Sequence, residues 1–414
     1  MGREDIILHS DLNCFYASVE MNEKPALREK LMAVCGSTEN RHGIVLTANY
    51  PAKRRGVKTG MANWQARQVC PELVMVEPHY DLYLRYSAVV RDIYRRYADR
   101  IEPFGMDENW ISIPCSGGLE TDGRRLAERI RRAVREETGL TVSIGVSFNK
   151  IFAKLGSDMK KPDAVTVVSR EDFREKTWGL PLSDLLYAGP ATTRKMALYG
   201  IYTIGDLATA DPALIKYKLG KNGLMLRQFA NGEDVSPVMP DGFEPPVKSV
   251  GHGTTCVRDL TCPAEVWQVI YEMAQDVGHR LRRHGCAARG VEISVRDSAL
   301  GWYQWQMPLA AHTQSPYELA QMAYALFREH YLWQLPVRAL TVTAVRLTDE
   351  DAPAQTDMFL DHVRREKRRA LEDAVDALRG RFGERSVVAA SLLGELPVAR
   401  DRCETVPMPA PMYR

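Results

Sequence analysis

Two acidic positions that lie far apart in the sequence constrain the fold of this chain more than any other feature. The apolar run at residues 6–8 leads to Asp11, and the pair Asp107 and Glu108 stands just before the apolar run at 110–113. A carboxylate at the tip of a buried strand is costly unless a counter-cation is present. We therefore expect neighbouring strands of one sheet to bring these three carboxylates together.

Three carboxylates in such a cluster suit two hard divalent cations, because hard oxygen ligands select Mg²⁺ or Mn²⁺. Two ions about 3.5–4 Å apart can activate an attacking hydroxyl group and steady a leaving pyrophosphate. Solvated turns are the more ordinary explanation for acidic clusters taken alone. The metal hypothesis therefore depends on the strand-like sequences beside Asp11 and Asp107.

The length and composition bound the class of protein. A chain of 414 residues predicts more than one domain, and 45% hydrophobic with 26% charged residues is typical of soluble globular proteins. The net charge of +2 argues neither for nor against nucleic acid. Eight cysteines without a CxxC pair predict reduced thiols rather than zinc ligands. Without a signal peptide or an apolar run of about 20 residues, we expect a cytoplasmic, nucleoid-associated protein with no membrane contact.

The hydrophobic spacing predicts strands that alternate with helices, which indicates an α/β or α+β core. Strands are predicted at 6–8, 43–49, 110–113, 142–146, 290–296, 302–308 and 338–347. Helices are predicted around 126–134, 266–281, 316–331 and 371–382, with short helices between 171 and 232. In the last helix Leu371, Val375, Leu378 and Phe382 share one face. A linker rich in proline and acidic residues covers 233–246.

Three ordered motifs go beyond such patterns. They are HSDLNCFYASVE at 9–20, PFGMDENW at 103–110, and VSIGVSFNK at 142–150, the last followed by Lys154, Asp158 and Lys161. Together they resemble the Y family of DNA polymerases, and in particular its DNA polymerase IV branch. The third motif is the most specific of the three, and weaker similarity extends to about residue 350.

The resemblance implies an α+β multidomain fold. It would have a ferredoxin-like palm (1–18 and 76–170), small fingers (19–75), and a helix-hairpin-helix thumb (171–232). A linker (233–246), an α+β little finger (247–348) and a C-terminal tail (349–414) would follow.

The resemblance also assigns site residues. The metal ligands would be Asp11, Asp107 and Glu108, with the backbone carbonyl of Leu12, and the cofactor would be two Mg²⁺ ions, with Mn²⁺ as an alternative. Tyr16 would be the steric gate, an aromatic ring that excludes the 2′-hydroxyl of a ribonucleotide, and it is packed by Phe15. The segment ANYPAKRRGVK at 48–58 resembles the part of the fingers that binds the incoming triphosphate. The nucleotide contacts would be Phe15, Tyr16, Tyr50, Lys53 and Lys161.

DNA and clamp contacts follow from three further segments. AGPATTR at 188–194 resembles the thumb hairpin, where backbone amides at a helix start bind a phosphate, although Tyr187 stands where a glycine is usual. Arginines of the little finger suit the DNA backbone. The predicted DNA contacts are Gly189, Lys248, Arg282, Arg283 and Arg289. QTDMFL at 355–360 resembles a peptide that binds bacterial sliding clamps (β clamps), with Gln355, Met358 and Phe359 as its contacts.

Several residues depart from the usual pattern of the family. Asn13 replaces an aspartate, Gly105 a serine, Asn109 a small residue, Trp110 a smaller aromatic residue, and Lys53 an arginine. The last exchange gives up the bidentate geometry of a guanidinium group. None of these changes removes a metal ligand.

The favoured function is a template-directed, error-prone DNA polymerase that adds dNTPs to a primer and bypasses damaged bases without proofreading. We expect a monomer. One alternative is an inactive polymerase-like accessory that bridges DNA and the clamp. Such a protein would be expected to have lost a metal carboxylate, whereas all three are present here. Another is a nucleotide cyclase on a related palm, which would need neither a thumb hairpin nor the 247–348 module.

Overall fold

The structure, a computed structural model, describes residues 5–39, 41, 43–114, 118–353, 361–383, 385–393 and 398. These residues form two compact units. The first comprises the described residues up to 36 together with 44–245. The second comprises the described residues from 246 to 398 and those of the short segment 37–43. In the described part of the chain, no helix is long and apolar enough to cross a membrane.

Strands and helices alternate through most of both units. The strands are β1 (Asp5–Leu12), β2 (Met32–Cys35), β3 (Val45–Ala48), β4 (Val74–Val76), β5 (Arg100–Pro103), β6 (Glu108–Pro114), β7 (Val142–Ser147), β8 (Val165–Val168), β9 (Val250–Leu260), β10 (Cys286–Asp297), β11 (Trp302–Thr313) and β12 (Val337–Asp349). The helices are α1 (Phe15–Glu23), α2 (Tyr50–Arg54), α3 (Asn63–Val69), α4 (Tyr80–Arg95), α5 (Arg124–Thr138), α6 (Lys150–Met159), α7 (Phe173–Thr177), α8 (Pro190–Ala197), α9 (Ile204–Thr209), α10 (Pro212–Ala230), α11 (Pro263–Arg283), α12 (Pro316–His330) and α13 (His362–Phe382). The predicted strands and helices are confirmed, while β2, β4, β5, β8 and β9 were not predicted.

The main sheet of the first unit has the strand order β5-β6-β1-β7-β8. Its central strand β1 is antiparallel to both β6 and β7, and every residue of it after Asp5 is buried. In the β1–β6 register, Asp11 lies directly opposite Glu108. Pairing of these two strands therefore brings together carboxylates that are distant in the sequence.

The two faces of this sheet pack against different helices. Ile6 and Leu8 belong to one hydrophobic core, together with Ile130 of α5 and Tyr83 of α4. Ile7 points into a second core, together with residues of α6 and of helices α7 to α10. Successive side chains of a strand point to opposite faces, so the unbroken apolar run of β1 reflects burial on both sides.

A smaller sheet and a group of short helices complete the first unit. The small sheet has the order β3-β2-β4 and encloses a core that Val45, Ala52 and Ala66 help to form. The helices α8 and α9 follow a turn in which Tyr187 has a φ of 69°. This left-handed conformation favours glycine, so the tyrosine at the usual glycine position keeps the conformation that a glycine would supply.

The second unit has a four-stranded antiparallel sheet in the order β11-β10-β12-β9. The apolar sides of α11 and α12 pack on this sheet, for example through Val277, Phe327 and Ile293. The helix α13 differs, because none of its residues is buried and Leu371, Leu378 and Phe382 are exposed. The boundaries predicted for the individual domains stay predictions.

Candidate active site

The predicted metal ligands lie together at one end of the central sheet. Asp11 is the penultimate residue of β1, and Glu108 opposite it is the first residue of β6. The backbone N–H of Leu12 donates a hydrogen bond of 3.0 Å to the carbonyl oxygen of Asp107. This bond fixes the residue just before β6 beside the end of β1, so the structure brings all three acidic residues into one cluster.

Two lysines of the third motif neutralise part of this cluster. Nζ of Lys154 lies 2.6 Å from Oε2 of Glu108, and Nζ of Lys161 lies 2.7 Å from Oδ2 of Asp11. Asp158 holds Lys161 from the other side, with Oδ1 at 2.8 Å from Nζ. Both ammonium groups are mostly buried, where such pairs are screened less than at the surface.

Close packing of α6 on β7 places these lysines. A Cβ atom added to Gly145 would lie 1.8 Å from the carbonyl oxygen of Ala153, so only glycine fits at that position. Asn149 begins α6 by accepting a hydrogen bond of 2.9 Å from the backbone N–H of Phe152. The glycine and the asparagine of the third motif therefore have structural roles that direct Lys154 toward Glu108.

The charged groups of the cluster have different electrostatic surroundings. Burial, and then the charges of Glu108 and Asp11, raise the pKa of Asp107 to about 7. Burial alone would raise the pKa of Glu108 as well, but the His9 imidazole and the Lys154 ammonium group hold it at about 2. Burial would lower the pKa of Lys161, yet Asp11 and Asp158 keep it above its usual range. The neighbouring positive charges therefore do not fully offset the repulsion that Glu108 and Asp11 exert on the Asp107 carboxylate.

The donor set fits hard divalent cations. Its members are carboxylate oxygens, which Mg²⁺ and Mn²⁺ prefer, and the raised pKa of Asp107 marks the place where further positive charge would be stabilising. In the described part of the chain, no three acidic, histidine or cysteine side chains already surround a single point as metal ligands do. Glu108 and Asp11 are instead each in contact with a lysine, Lys154 and Lys161 respectively.

Tyr16 lies near the carboxylate cluster, at the start of α1. Burial, and then the charge of Asp107, raise the pKa of the Tyr16 phenol to about 12. Its ring is half-buried, and Phe15 packs beside it with the ring centroids 5.5 Å apart. The two aromatic residues predicted to contact the nucleotide therefore adjoin the predicted metal ligands.

The predicted triphosphate residues are also close to this cluster. Tyr50 begins α2, and burial, the Cys14 thiol and the charge of Asp11 raise the pKa of its phenol. Lys53 is exposed, and its Nζ lies 5.4 Å from the centroid of the Tyr50 ring. Tyr50 and Lys161 thus offer a phenol and an ammonium group near Asp11, and Lys53 adds a second ammonium group next to Tyr50.

The predicted DNA contacts belong to other elements of the chain. Gly189 stands at the start of α8, and a Cβ atom there would meet nothing within 4 Å. Lys248, Arg283 and Arg289 are exposed. Arg282 is instead paired with Asp376 of α13 at 2.7 Å and is only 14% exposed. The clamp residues Gln355, Met358 and Phe359 lie outside the described residues.

Two departures from the family pattern have structural explanations. Asn13 is buried, donates to Ser143 at 2.9 Å, and accepts from the backbone N–H of Asp163 at 2.8 Å. Trp110 is fully buried and donates from Nε1 to the carbonyl oxygen of Lys150 at 3.1 Å. Both side chains fasten strands of the main sheet to the segments that follow β7.

The sequence motifs contain two site residues to which we assigned no role in advance, His9 and Lys154. His9 is fully buried, with Nδ1 at 2.9 Å from Oγ of Ser157 and Nε2 at 3.3 Å from Oε2 of Glu108. Its position two residues before Asp11, on the same face of β1, was the available signal. Lys154 stands four residues before Asp158, one helical turn away.

Known proteins resemble this chain over most of its length. Residues 10–158 match the impB/mucB/samB family, and residues 247–358 match the C-terminal domain of that family. The DNA polymerase IV of Acetivibrio thermocellus is 47% identical over 388 residues, which cover 94% of this chain and 97% of that protein. DNA polymerase IV 1 of Bacillus subtilis is 37% identical over 363 residues, 86% of each chain.

The chain belongs to the DNA polymerase IV group of this family. Its fold is that of the Y family, because a chimeric Y-family DNA polymerase of known structure superposes with a TM-score of 0.72. That match covers 83% of this chain and 99% of the other at 22% identity. The resemblance and the fold class predicted from the motifs are confirmed. As a member of this group, the chain is a DNA-directed DNA polymerase of the translesion type, a class that depends on divalent metal ions.

Proposed function

We propose that Asp11, Asp107 and Glu108, with the carbonyl oxygen of Leu12, hold two Mg²⁺ ions that this polymerase uses to extend a DNA primer from dNTPs. The observation that carries the proposal is the register of β1 and β6, which sets Asp11 opposite Glu108 with Asp107 beside them. When bound, two such ions would supply an activated 3′-hydroxyl group and stabilisation of the leaving pyrophosphate. Mn²⁺ suits the same oxygen ligands.

The chain's own cations would bind the triphosphate. The ammonium group of Lys161 lies between Asp11 and Asp158, and on this proposal it would contact the phosphates beside the metal ligands. Tyr50 and Lys53 add a phenolic donor and a second ammonium group on α2. Charge-assisted hydrogen bonds of this kind are stronger than neutral ones, and they offset the charge of a transferred phosphoryl group.

Tyr16 would select the sugar. Its half-buried ring lies near Asp107, and a ring in that position would leave no room for a 2′-hydroxyl group. Phe15 supports it from the side. Replacement of Tyr16 by alanine is therefore expected to admit ribonucleotides.

The DNA would be bound without sequence preference, by a thumb at 171–232 and a little finger at 247–348. Gly189 leaves open space at the start of α8, where backbone N–H groups can approach a phosphate. Lys248, Arg283 and Arg289 are exposed cations suited to the DNA backbone. Arg282 could contribute only after it leaves Asp376. The fingers at 19–75 are small, so they would make few contacts with the nascent base pair, and this favours tolerance of damaged bases. The DNA would be that of the nucleoid in the cytoplasm.

A sliding clamp is a further proposed partner, through residues 355–360. Replacement of Met358 and Phe359 by alanine should weaken pull-down by a β clamp, because it removes two of the three apolar side chains of the motif. Primer extension without the clamp should be unchanged. Unaltered pull-down would show that residues 355–360 are not the clamp-binding segment.

Primer extension tests the proposed function. The purified chain, given dNTPs and Mg²⁺, should extend a primer on an undamaged template and on one that carries an abasic site or a minor-groove adduct. EDTA should stop both reactions, and a mispaired primer end should not be degraded. No extension on either template, while DNA is still bound, would contradict the proposal and favour the accessory role.

A further inference from the structure

The ring of Tyr16 lies within a cluster of aromatic side chains. Its centroid is 4.4 Å from that of Tyr83, and the two ring planes are 21° from parallel. Tyr80 meets both rings edge-on, at 6.1 Å from Tyr16 and 5.8 Å from Tyr83. Stacked and edge-on pairs are favourable only in particular geometries. The plane of the Tyr16 ring therefore depends on the orientation of Tyr83.

A buried carboxylate fixes the other end of Tyr83. The Tyr83 hydroxyl donates a hydrogen bond of 2.7 Å to Oε1 of Glu20, and Nδ1 of His79 lies 2.7 Å from the same oxygen. Glu20 and Tyr83 are both 0% exposed. A carboxylate buried to this degree is costly without hydrogen-bond donors, so Glu20 holds Tyr83 and His79 in place.

Helical spacing makes this arrangement a single unit. Tyr16 and Glu20 are four residues apart on α1, and His79 and Tyr83 are four residues apart at the start of α4. Side chains at this spacing lie on the same helix face. The two faces meet through a ring-on-ring contact and a hydroxyl-to-carboxylate hydrogen bond, which together fix α1 against α4 beside the active site.

We propose that Glu20 and His79 are positioning residues for sugar selection. They hold Tyr83, and Tyr83 holds the Tyr16 ring where it excludes a 2′-hydroxyl group. This inference rests on the proposed role of Tyr16 as the steric gate. A gate of this kind discriminates by close contact, so a small displacement of the ring weakens it.

Tyr83→Phe is the most direct test, because it keeps the stacked ring and removes only the hydroxyl group. The ratio of kcat/KM for a dNTP to that for the matching rNTP should fall about tenfold, a size that small errors in position can produce. The fall should come mainly from a lower KM for the rNTP. General damage to the fold would lower kcat/KM for both nucleotides and could not improve the use of ribonucleotides.

A matched control lies one turn further along the same two helices. The Tyr86 hydroxyl donates to Oε1 of Glu23 at 3.0 Å, near the surface, and among the described ring contacts Tyr86 has none with Tyr16. Tyr86→Phe should therefore leave the dNTP-to-rNTP ratio unchanged. His79→Ala provides a second test at a half-exposed position, and it should lower the ratio in the same direction as Tyr83→Phe.

Tyr16→Ala distinguishes a failure of the positioning role from a failure of Tyr16 as the steric gate. If Tyr16→Ala admits rNTPs, and Tyr83→Phe added to it causes no further change, the two residues act as one unit. If Tyr16→Ala admits rNTPs while Tyr83→Phe and His79→Ala leave the ratio unchanged, the positioning role is overturned and the gate stands. If Tyr16→Ala leaves the ratio unchanged, the gate is overturned and the positioning role with it. Failure of the unmodified chain to extend a primer would instead overturn the proposed function.

Discussion

Ion pairs hold together two regions of this molecule in different ways. In the main sheet of the first unit, Lys150 of α6 and Glu102 of β5 form a pair whose side chains are 0% and 9% exposed. In the second unit, α13 is held on α11 and α12 by partly exposed pairs rather than by a buried core. Arg282 contacts Asp376, and Arg365 contacts Glu318 at 2.7 Å with side chains 27% and 23% exposed. The first pair lies inside a hydrophobic core, while α13 has no buried residue at all.

The comparison indicates which ion pairs the stability of the fold depends on strongly and which contribute little. Glu102 also accepts a hydrogen bond of 2.8 Å from the backbone N–H of Met239, and Lys150 lies 5.1 Å from the centroid of the Trp110 ring. Loss of one partner there leaves the other charge buried. Surface pairs are screened by salt and each contribute little. We therefore expect the sheet to respond strongly to loss of a pair and α13 to respond weakly.

The largest effect is expected from Glu102→Ala. It should lower the free energy of unfolding of the first unit by about 3–5 kcal/mol, because it removes the carboxylate that contacts the buried Lys150 ammonium group. Urea unfolding, followed by a probe in the first unit, measures this change. Glu102→Gln keeps an acceptor for Met239 and should cost less. A loss below about 1 kcal/mol for the alanine variant would mean that the buried pair contributes no more than the pairs that hold α13, and it would contradict the expected difference.

An intermediate effect is expected from Asp163→Ala. Asp163 pairs with Arg131 at 2.7 Å, and these two side chains are 21% and 19% exposed. Its removal should cost about 1–2 kcal/mol, between the values for buried and for exposed pairs. The same urea experiment applies. Arg135→Ala, at a pair whose arginine is 63% exposed, is the control and should change the stability by less than about 0.5 kcal/mol.

The smallest effect is expected from Asp376→Asn. It removes the charge but keeps an amide oxygen that can still accept from Arg282, so it should cost only about 0.5–1 kcal/mol although the two side chains are 14% and 17% exposed. Hydrogen exchange of the amides at 362–382 should rise about two- to fivefold, since 1.4 kcal/mol corresponds to a tenfold change. Raised salt should have the same effect on the unmodified chain. Asp373→Asn, 4.0 Å from Arg282, should change little. Exchange that stays the same in Asp376→Asn and in high salt would show that other contacts hold the helix.

Much of the fold was predictable because hydrophobic spacing reports burial directly. The run at residues 6–8 reads as a strand because both faces of β1 are buried. Ile130 and Val134 of α5 mark its inner face for the same reason. The short edge strands β4 and β5 have too few residues to show a period, so the spacing could not reveal them.

The residues of the site could be predicted from the sequence, but most of the side chains that they contact could not. The motifs that carry Asp11, Asp107 and Glu108 also implied that they meet, and the β1–β6 register brings them together. The contacts of Lys154 with Glu108 and of Tyr83 with Glu20 span 46 and 63 residues. No local pattern encodes pairs at such separations, because they arise only when distant elements pack. Tyr187 is a similar case, since no local pattern marks a tyrosine for the left-handed backbone conformation that it adopts.

The central claim is that Asp11, Asp107 and Glu108 form the metal centre of the polymerase. Single-turnover primer extension by Asp107→Ala and Glu108→Ala, with DNA affinity measured in parallel by fluorescence anisotropy, tests it most directly. Both variants should lose at least about 10³-fold in rate, because several kcal/mol of transition-state stabilisation disappear, and their affinity for primer-template DNA should stay nearly unchanged. Extension within about tenfold of the unmodified rate in either variant would contradict the claim.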